Sequence, residues 1–130
     1  MSAAILDGRV VAAAIESELR TRVAQLVSAP RLAVVQVGDD PASTSYIRAK
    51  SRAAERVGIK LAHHHLPAGT SLEKLETLIE QLNSSEHGLI VQLPLPDKFE
   101  PALARIVPER DVDGFHPVNL GKLLRGEPAL

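Results

Sequence analysis

The apolar residues of this chain alternate between two spacings. Val11, Ile15, Leu19, Val23 and Leu26 recur every three or four positions, the period of one helix face. Asp7 stands where a helix starting near Gly8 needs its N-cap, and Pro30 ends that helix after about Ala29. Leu32 to Val37 is then a short apolar strand with Gln36 inside it, and Gly38-Asp39-Asp40-Pro41-Ala42 is turn chemistry. Ser43 caps a second helix that runs to Val57 and ends at Gly58. Lys60 to Leu66 reads as a second strand, and Pro67-Ala68-Gly69 turns the chain. Thr70 and Glu73 form a capping box for a third helix through about Asn83.

Gly88 to Pro96 (Gly-Leu-Ile-Val-Gln-Leu-Pro-Leu-Pro) is the strongest strand signal. Its aliphatic residues Leu89, Ile90, Val91 and Leu93, bounded by Gly and Pro, predict a central strand buried on both faces. Pro94 and Pro96 stop it, because proline cannot donate to a ladder. Gln92 therefore falls near the C-terminal edge of the sheet, where open α/β sheets build their sites. An unpaired buried amide is costly, so Gln92 either finds a protein partner or faces a ligand. Phe99 to Val107 reads as a short helix, Pro108 to Pro117 as a loop and Val118 to Leu124 as a last helix. The order predicts an α/β fold: three layers, α/β/α, around a mostly parallel sheet, with the strand-to-helix loops on one edge.

Composition removes several function classes. The 130 residues suit one domain, 1–130, with 45% hydrophobic and 24% charged residues and no repeat. A net charge of −1 and 2% aromatics give no electrostatic or stacking basis for nucleic acid. No apolar segment approaches membrane-spanning length, so no membrane partner is expected. The first residues carry no secretion signal, and the absence of cysteine excludes disulfides, thiol catalysis and thiolate metal sites. Both features fit a cytoplasmic protein.

Three segments carry candidate chemistry. On a wheel of the second helix, Ala53, Tyr46, Val57, Ala54 and Ile47 span an arc of about 120°, with Lys50 near its centre. Arg48, Arg52 and Glu55 lie opposite, in water. A lysine there either snorkels along apolar surface or is a partly desolvated amine, with a lowered pKa suited to a base or proton relay. Tyr46, one turn earlier, offers a ring to a flat substrate. Tyr-x-x-x-Lys also occurs in short-chain dehydrogenases, but no G-x-G-x-x-G precedes it here. In Asp111-Val112-Asp113-Gly114 the acids stop after two, which excludes a calcium loop. A carboxylate there either caps a turn or accepts from an amino-pyrimidine edge. In His63-His64-His65 strand alternation puts at most two on one side, with no further ligand nearby, so no metal is expected.

Together these segments resemble the methylenetetrahydrofolate dehydrogenase/methenyltetrahydrofolate cyclohydrolase family over nearly the whole chain. The matching pieces are Val37-Gly38 with Pro41-Ala42-Ser43, Tyr46-x-x-x-Lys50, Gly88 to Pro96, and Asp111-Val-Asp-Gly-Phe-His-Pro-Val-Asn119. The resemblance implies oxidation of 5,10-methylenetetrahydrofolate with NADP (sometimes NAD) and hydrolysis of the methenyl product to 10-formyltetrahydrofolate. That is one-carbon metabolism, which feeds purine biosynthesis.

It also implies roles. Lys50 matches the catalytic lysine and Gln92 the glutamine that bonds and tunes it. Tyr46 matches the tyrosine packed on the folate, and Asp113 the carboxylate on the pterin's amino-pyrimidine edge. Ser43 matches a supporting polar position, and Val91 and Leu93 flank Gln92 against the substrate. Leu93–Pro94 is a candidate cis bond.

Two departures stand out. Asn83-Ser84-Ser85 replaces the family's usual Asn-x-Asp, for which only a structural effect is expected. The family's Rossmann NAD(P) domain and returning C-terminal helix are absent from these residues, which read as the N-terminal domain only. No nicotinamide cofactor and no dehydrogenase activity are then expected of this chain alone, whereas cyclohydrolase activity stays open. An apolar patch bared by the missing helix would favour self-association. Homodimerisation of the full-length parent is left open. The competing reading is a non-catalytic folate-binding or interaction domain. An unrelated α/β hydrolase would need a G-x-S-x-G elbow, which is absent.

Overall fold

A computed structural model of the chain describes residues 7–128. Its elements are α1 (Gly8–Ala24), β1 (Arg31–Val37), α2 (Pro41–Val57), β2 (Lys60–Leu66), α3 (Leu72–Ser85), β3 (Gly88–Val91), α4 (Glu100–Leu103) and α5 (Pro117–Leu124). Single 3₁₀ turns at Asp97–Phe99 and Pro108–Arg110 fill the stretch between β3 and α5. The three strands are parallel in the order β2-β1-β3. Helices cover both faces, so the α/β/α expectation holds.

One expectation about the sheet is corrected. β3 is buried on both faces, but β1 is the central strand, with β3 beside it. Beyond β3, among the described residues, lies only an isolated parallel bridge from Leu89 to Asp111. Successive crossovers run first to one side of β1 and then to the other.

Strand alternation divides the core. Ala33, Val35 and Val37 of β1 point to one face with Leu89 and Val91 of β3. They pack on Leu75, Ile79 and Leu82 of α3 and on Phe99, Ala102 and Ile106. Val34 and Ile90 point to the other face and meet Ile47 of α2, flanked by Leu32 and Leu61. α1 packs on α2 rather than on the sheet. An ion pair between Arg56 and Glu16, with Nη2 to Oε1 at 2.6 Å, helps hold it there.

That position leaves the apolar face of α1 largely uncovered. None of its residues is buried; Val10, Val11 and Ile15 are exposed, and only Glu16, Leu19 and Val23 are half-covered. The helix also ends at Ala24 rather than near Ala29. Leu26 and Val27 are exposed, so extending the helix would bury nothing, and Pro30 disfavours a helical Ala29 before it. Leu120, Leu123 and Leu124 of α5 add to the exposed apolar surface.

Two caps shift by a few residues. Asp40, not Ser43, caps α2: its Oδ2 accepts from the Ser43 N–H at 2.7 Å, and Pro41 occupies the first turn, where its missing N–H costs nothing. Ser71, not Thr70, caps α3, accepting from Lys74 N–H at 3.2 Å. Thr70 is buried instead, its hydroxyl without a partner among the described residues. The expected helix from Phe99 to Val107 shortens to α4 and its preceding turn. Asn83 clamps the stretch that follows, donating Nδ2 to Arg105 O at 2.8 Å and accepting from Val107 N–H at 3.1 Å.

Two predictions follow from the ends of α2. Gly58 closes the helix at φ +85°, and a Cβ there would stand 3.2 Å from Val23 Cγ1. Gly58→Ala should therefore cost about 1–2 kcal/mol of unfolding free energy, read by urea titration. The cap bonds from Ser43 hold the Asp40 carboxyl below its ordinary 3.8. A depressed carboxyl stabilises the fold above that value and loses its contribution as pH falls through the lower folded-state value. Asp40→Asn should accordingly flatten the acid limb of a stability-against-pH curve below about pH 4.

Candidate functional site

The site grows from the end of β3. The ladder continues one step past the strand, with Gln92 N–H donating to Val35 O at 2.8 Å. By alternation Gln92 follows Ile90 onto the α2 face, whereas Val91 packs its side chain into the α3-side core. Gln92 Nε2 donates to Leu93 O at 2.8 Å, which fixes the amide and leaves Oε1 as the acceptor facing α2. The Leu93–Pro94 bond is cis.

α2 supplies the partner. Its inward face is Ser43, Ile47, Lys50, Ala54 and Val57, spaced three or four apart. Lys50 is half-buried, and its Nζ donates to Gln92 Oε1 at 2.9 Å. Ser43, buried one turn into the helix, donates Oγ to Leu93 O at 3.3 Å. That carbonyl thus receives both the amide and the hydroxyl, tying the helix start to the strand end. Lys50, Gln92, Ser43 and Leu93 converge as one group.

Tyr46 sits at the margin of this face, not within it. It is 64% exposed, its ring open one turn before Lys50. The wheel placed the buried arc one position off, because the helix turns Ser43 and Ile47 to the sheet. Val91 brings only its backbone to the strand end. Asp113 is exposed on the loop before α5, and its side chain makes no hydrogen bond or ion pair among the described residues.

The histidines adopt a supporting geometry. His63 Nε2 lies 3.0 Å from Gln36 Oε1, and His65 Nε2 lies 2.8 Å from Gly38 O. Their rings stack at 5.7 Å between centroids, while His64 takes the opposite face. Burial, with neighbouring His65 and His64, lowers the His63 pKa from its ordinary value. Among the described residues no group of three His, Asp or Glu side chains is placed to hold a metal ion.

Gln36 was missed as a site-shaping residue. Only 2% exposed, it donates Nε2 to Gly38 O and to Thr44 Oγ1, each at 3.1 Å. Because Nε2 is committed to two acceptors, Oε1 must accept from His63, so His63 carries its proton on Nε2. The signal was an amide interrupting an apolar strand, the same pattern that marked Gln92. Asp111 and Asn119, both buried, were also missed as a bonded pair. Two alternate acids in a loop do not reveal which one turns inward.

Residues 6–113 match the family model described as tetrahydrofolate dehydrogenase/cyclohydrolase, catalytic domain. The bifunctional protein FolD of Methanosarcina barkeri is 52% identical over 134 aligned positions, covering 97% of this chain and 47% of that protein. The FolD of Halalkalibacterium halodurans is 46% identical, covering 98% of this chain and 48% of its own length. The chain thus spans about half the length of the curated relatives it matches.

Solved structures align as closely. The FolD methylenetetrahydrofolate dehydrogenase/cyclohydrolase of Campylobacter jejuni superposes with a TM-score of 0.90 at 42% identity, over 95% of this chain and 46% of that one. The Trypanosoma brucei dehydrogenase-cyclohydrolase, solved with NADP cofactor and inhibitor, superposes at 0.89 with 39% identity, over 95% and 45%. With the family model matching residues 6–113 of the chain and the fold superposing at a TM-score of 0.90, this chain belongs to the tetrahydrofolate dehydrogenase/cyclohydrolase catalytic-domain family.

Proposed function

We propose that this chain is the folate-binding catalytic unit of an enzyme that oxidises 5,10-methylenetetrahydrofolate and hydrolyses the methenyl product to 10-formyltetrahydrofolate. The observation that carries it is the Lys50 Nζ to Gln92 Oε1 bond of 2.9 Å at the open end of β3. It supports a mechanism in which Gln92 aims the amine and Lys50 moves protons. The cationic methenyl carbon would stand beside the Lys50 amine, whose lone pair is the base. The lone pair then takes a proton from the attacking water, whose oxygen bonds to that carbon. As the carbon–N5 bond breaks, Lys50 returns the proton to N5, and the second water proton leaves to solvent. Holding the amine in place also removes the entropy of finding it. Tyr46 offers its open ring to the flat pterin or benzoyl portion, and Asp113 offers a carboxylate without a partner among the described residues to the amino-pyrimidine edge.

NADP would accept the hydride in the oxidation. The residues present do not fit it. A dinucleotide is held by a glycine-rich turn whose N–H groups face its phosphates. Here the β1–α2 turn is Gly38-Asp39-Asp40-Pro41, with two carboxylates, and Asp40 already takes the Ser43 N–H. We therefore assign nicotinamide binding to no residue of this chain. Tetrahydrofolate derivatives are its proposed ligands, and no subunit arrangement of a longer parent is assigned. No helix among the described residues is long and apolar enough to cross a membrane.

Two experiments test this reading. Lys50→Met should lower hydrolysis of 5,10-methenyltetrahydrofolate by about a hundredfold or more while tetrahydrofolate affinity stays within about threefold. If the unsubstituted chain binds tetrahydrofolate but shows no turnover to lose, the non-catalytic binding domain is the correct reading. In the second, the 130-residue polypeptide is mixed with NADP and 5,10-methylenetetrahydrofolate. No NADPH absorbance should develop above background, and a measurable rate would show that these residues do bind the nicotinamide.

A further inference from the structure

Asp111 and Asp113 are separated by one valine, yet the fold gives them opposite surroundings. Asp113 is exposed, whereas Asp111 is 1% exposed. Asp111 Oδ1 accepts from the Gly114 N–H at 3.1 Å. Its Oδ2 accepts from the His116 N–H at 2.7 Å and from Asn119 Nδ2 at 3.0 Å. The Gly114 N–H also turns back toward Asp111 O at 3.3 Å, with Gly114 at φ +75°. None of the ion pairs among the described residues includes Asp111, so these N–H groups are what offset the burial of its carboxylate.

Two donors, Gly114 and His116, lie in the loop just after Asp113, and the third comes from α5. Asn119 is itself 1% exposed, and its Nδ2 also donates to Pro108 O at 2.8 Å, so its amide is oriented by two acceptors. On the other side, the Asp111 backbone bridges to Leu89 in β3, three positions before Gln92. Asp111 therefore joins the sheet that places Gln92, through its backbone, to the loop that places Asp113, through its carboxylate.

We propose that Asp111 is a positioning residue for substrate recognition: it latches loop 112–116 to β3 so that Asp113 stands at a fixed distance from the Lys50–Gln92 pair. This rests on the assignment of Asp113 to the amino-pyrimidine edge in the proposed function. An edge with two neighbouring N–H donors needs both oxygens of its partner aligned, and a shift of about 1 Å forfeits much of that bond. Asp111 touches no ligand atom in this account. It acts only through Asp113.

The test measures equilibrium binding of tetrahydrofolate to the full chain and to Asp113→Ala, Asp111→Asn and the double variant, with amide hydrogen exchange on each. In Asp111→Asn the new amide N–H₂ must face one of the backbone donors. Exchange at Gly114 and His116 should then quicken about tenfold or more while Leu89 and Ile90 stay protected. Affinity should fall about tenfold with Asp113 present and less than about twofold with Asp113→Ala, because a positioning effect vanishes with the group it positions. A loss of the same size in both backgrounds means ordinary destabilisation and overturns the proposal, as does unchanged affinity or unchanged exchange in Asp111→Asn. If Asp113→Ala leaves affinity unaltered, the assignment of Asp113 fails and the proposal with it. The exchange result still reports whether the latch exists, which separates the two failures. Should Asp111→Asn not fold, Asn119→Ala removes one donor. Its loss of about threefold should likewise disappear in the Asp113→Ala background, and persistence there overturns the proposal.

Discussion

The structure depends on the parallel pairing of β3 with β1, held in register at Val34 opposite Ile90 and Val35 opposite Val91. Both strands are buried on both faces, so a slip of one residue would drive Gln92 into the α3-side core and pull Val91 out of it. Register is therefore fixed by the apolar side chains of the core, and the polar chemistry inherits its position from them. Gln92 lies one step beyond the strand because Val91 must be where it is.

Given that register, Gln92 meets the inner face of α2. The helix is held there by Ile47, Ala54 and Val57, and its first turn is tied down by Asp40 and Ser43. Lys50 needs no separate mechanism to reach the amide. It occupies the half-buried position that the same face leaves beside the strand end, and the hydrogen bond satisfies both groups. A lysine beside apolar neighbours and a glutamine ending an apolar strand are each explained by the other.

Polar side chains inside this fold repeatedly serve backbone geometry. Gln36 fixes the β1–α2 turn, Asn83 holds the chain after α4, and Asp111 gathers the loop before α5. Each is buried or clamped at a place where irregular backbone would otherwise leave N–H or C=O groups unpaired. Tyr46 and Asp113 stay open instead, and the Asp113 side chain makes no hydrogen bond or ion pair among the described residues.

The order of strands and helices, the span of β2 and the stop after β3 were legible in the sequence. They follow from local rules: apolar period, turn residues and proline. The residues alone showed that a charged or amide group at an apolar position needs a partner, while the coupling of Lys50 to Gln92 was legible only through the family resemblance. The bounds of α1, the caps Asp40 and Ser71, the central place of β1 and the exposure of Tyr46 were not. Neither was the choice between Asp111 and Asp113 as the inward carboxylate. Those outcomes depend on which surface each element meets, and a periodic pattern states that a face is apolar without stating what covers it. The chain by itself determined what kinds of elements form and which side chains require partners. Only the tertiary structure decided which partner each one found, because burial and hydrogen bonding are settled between segments far apart in sequence.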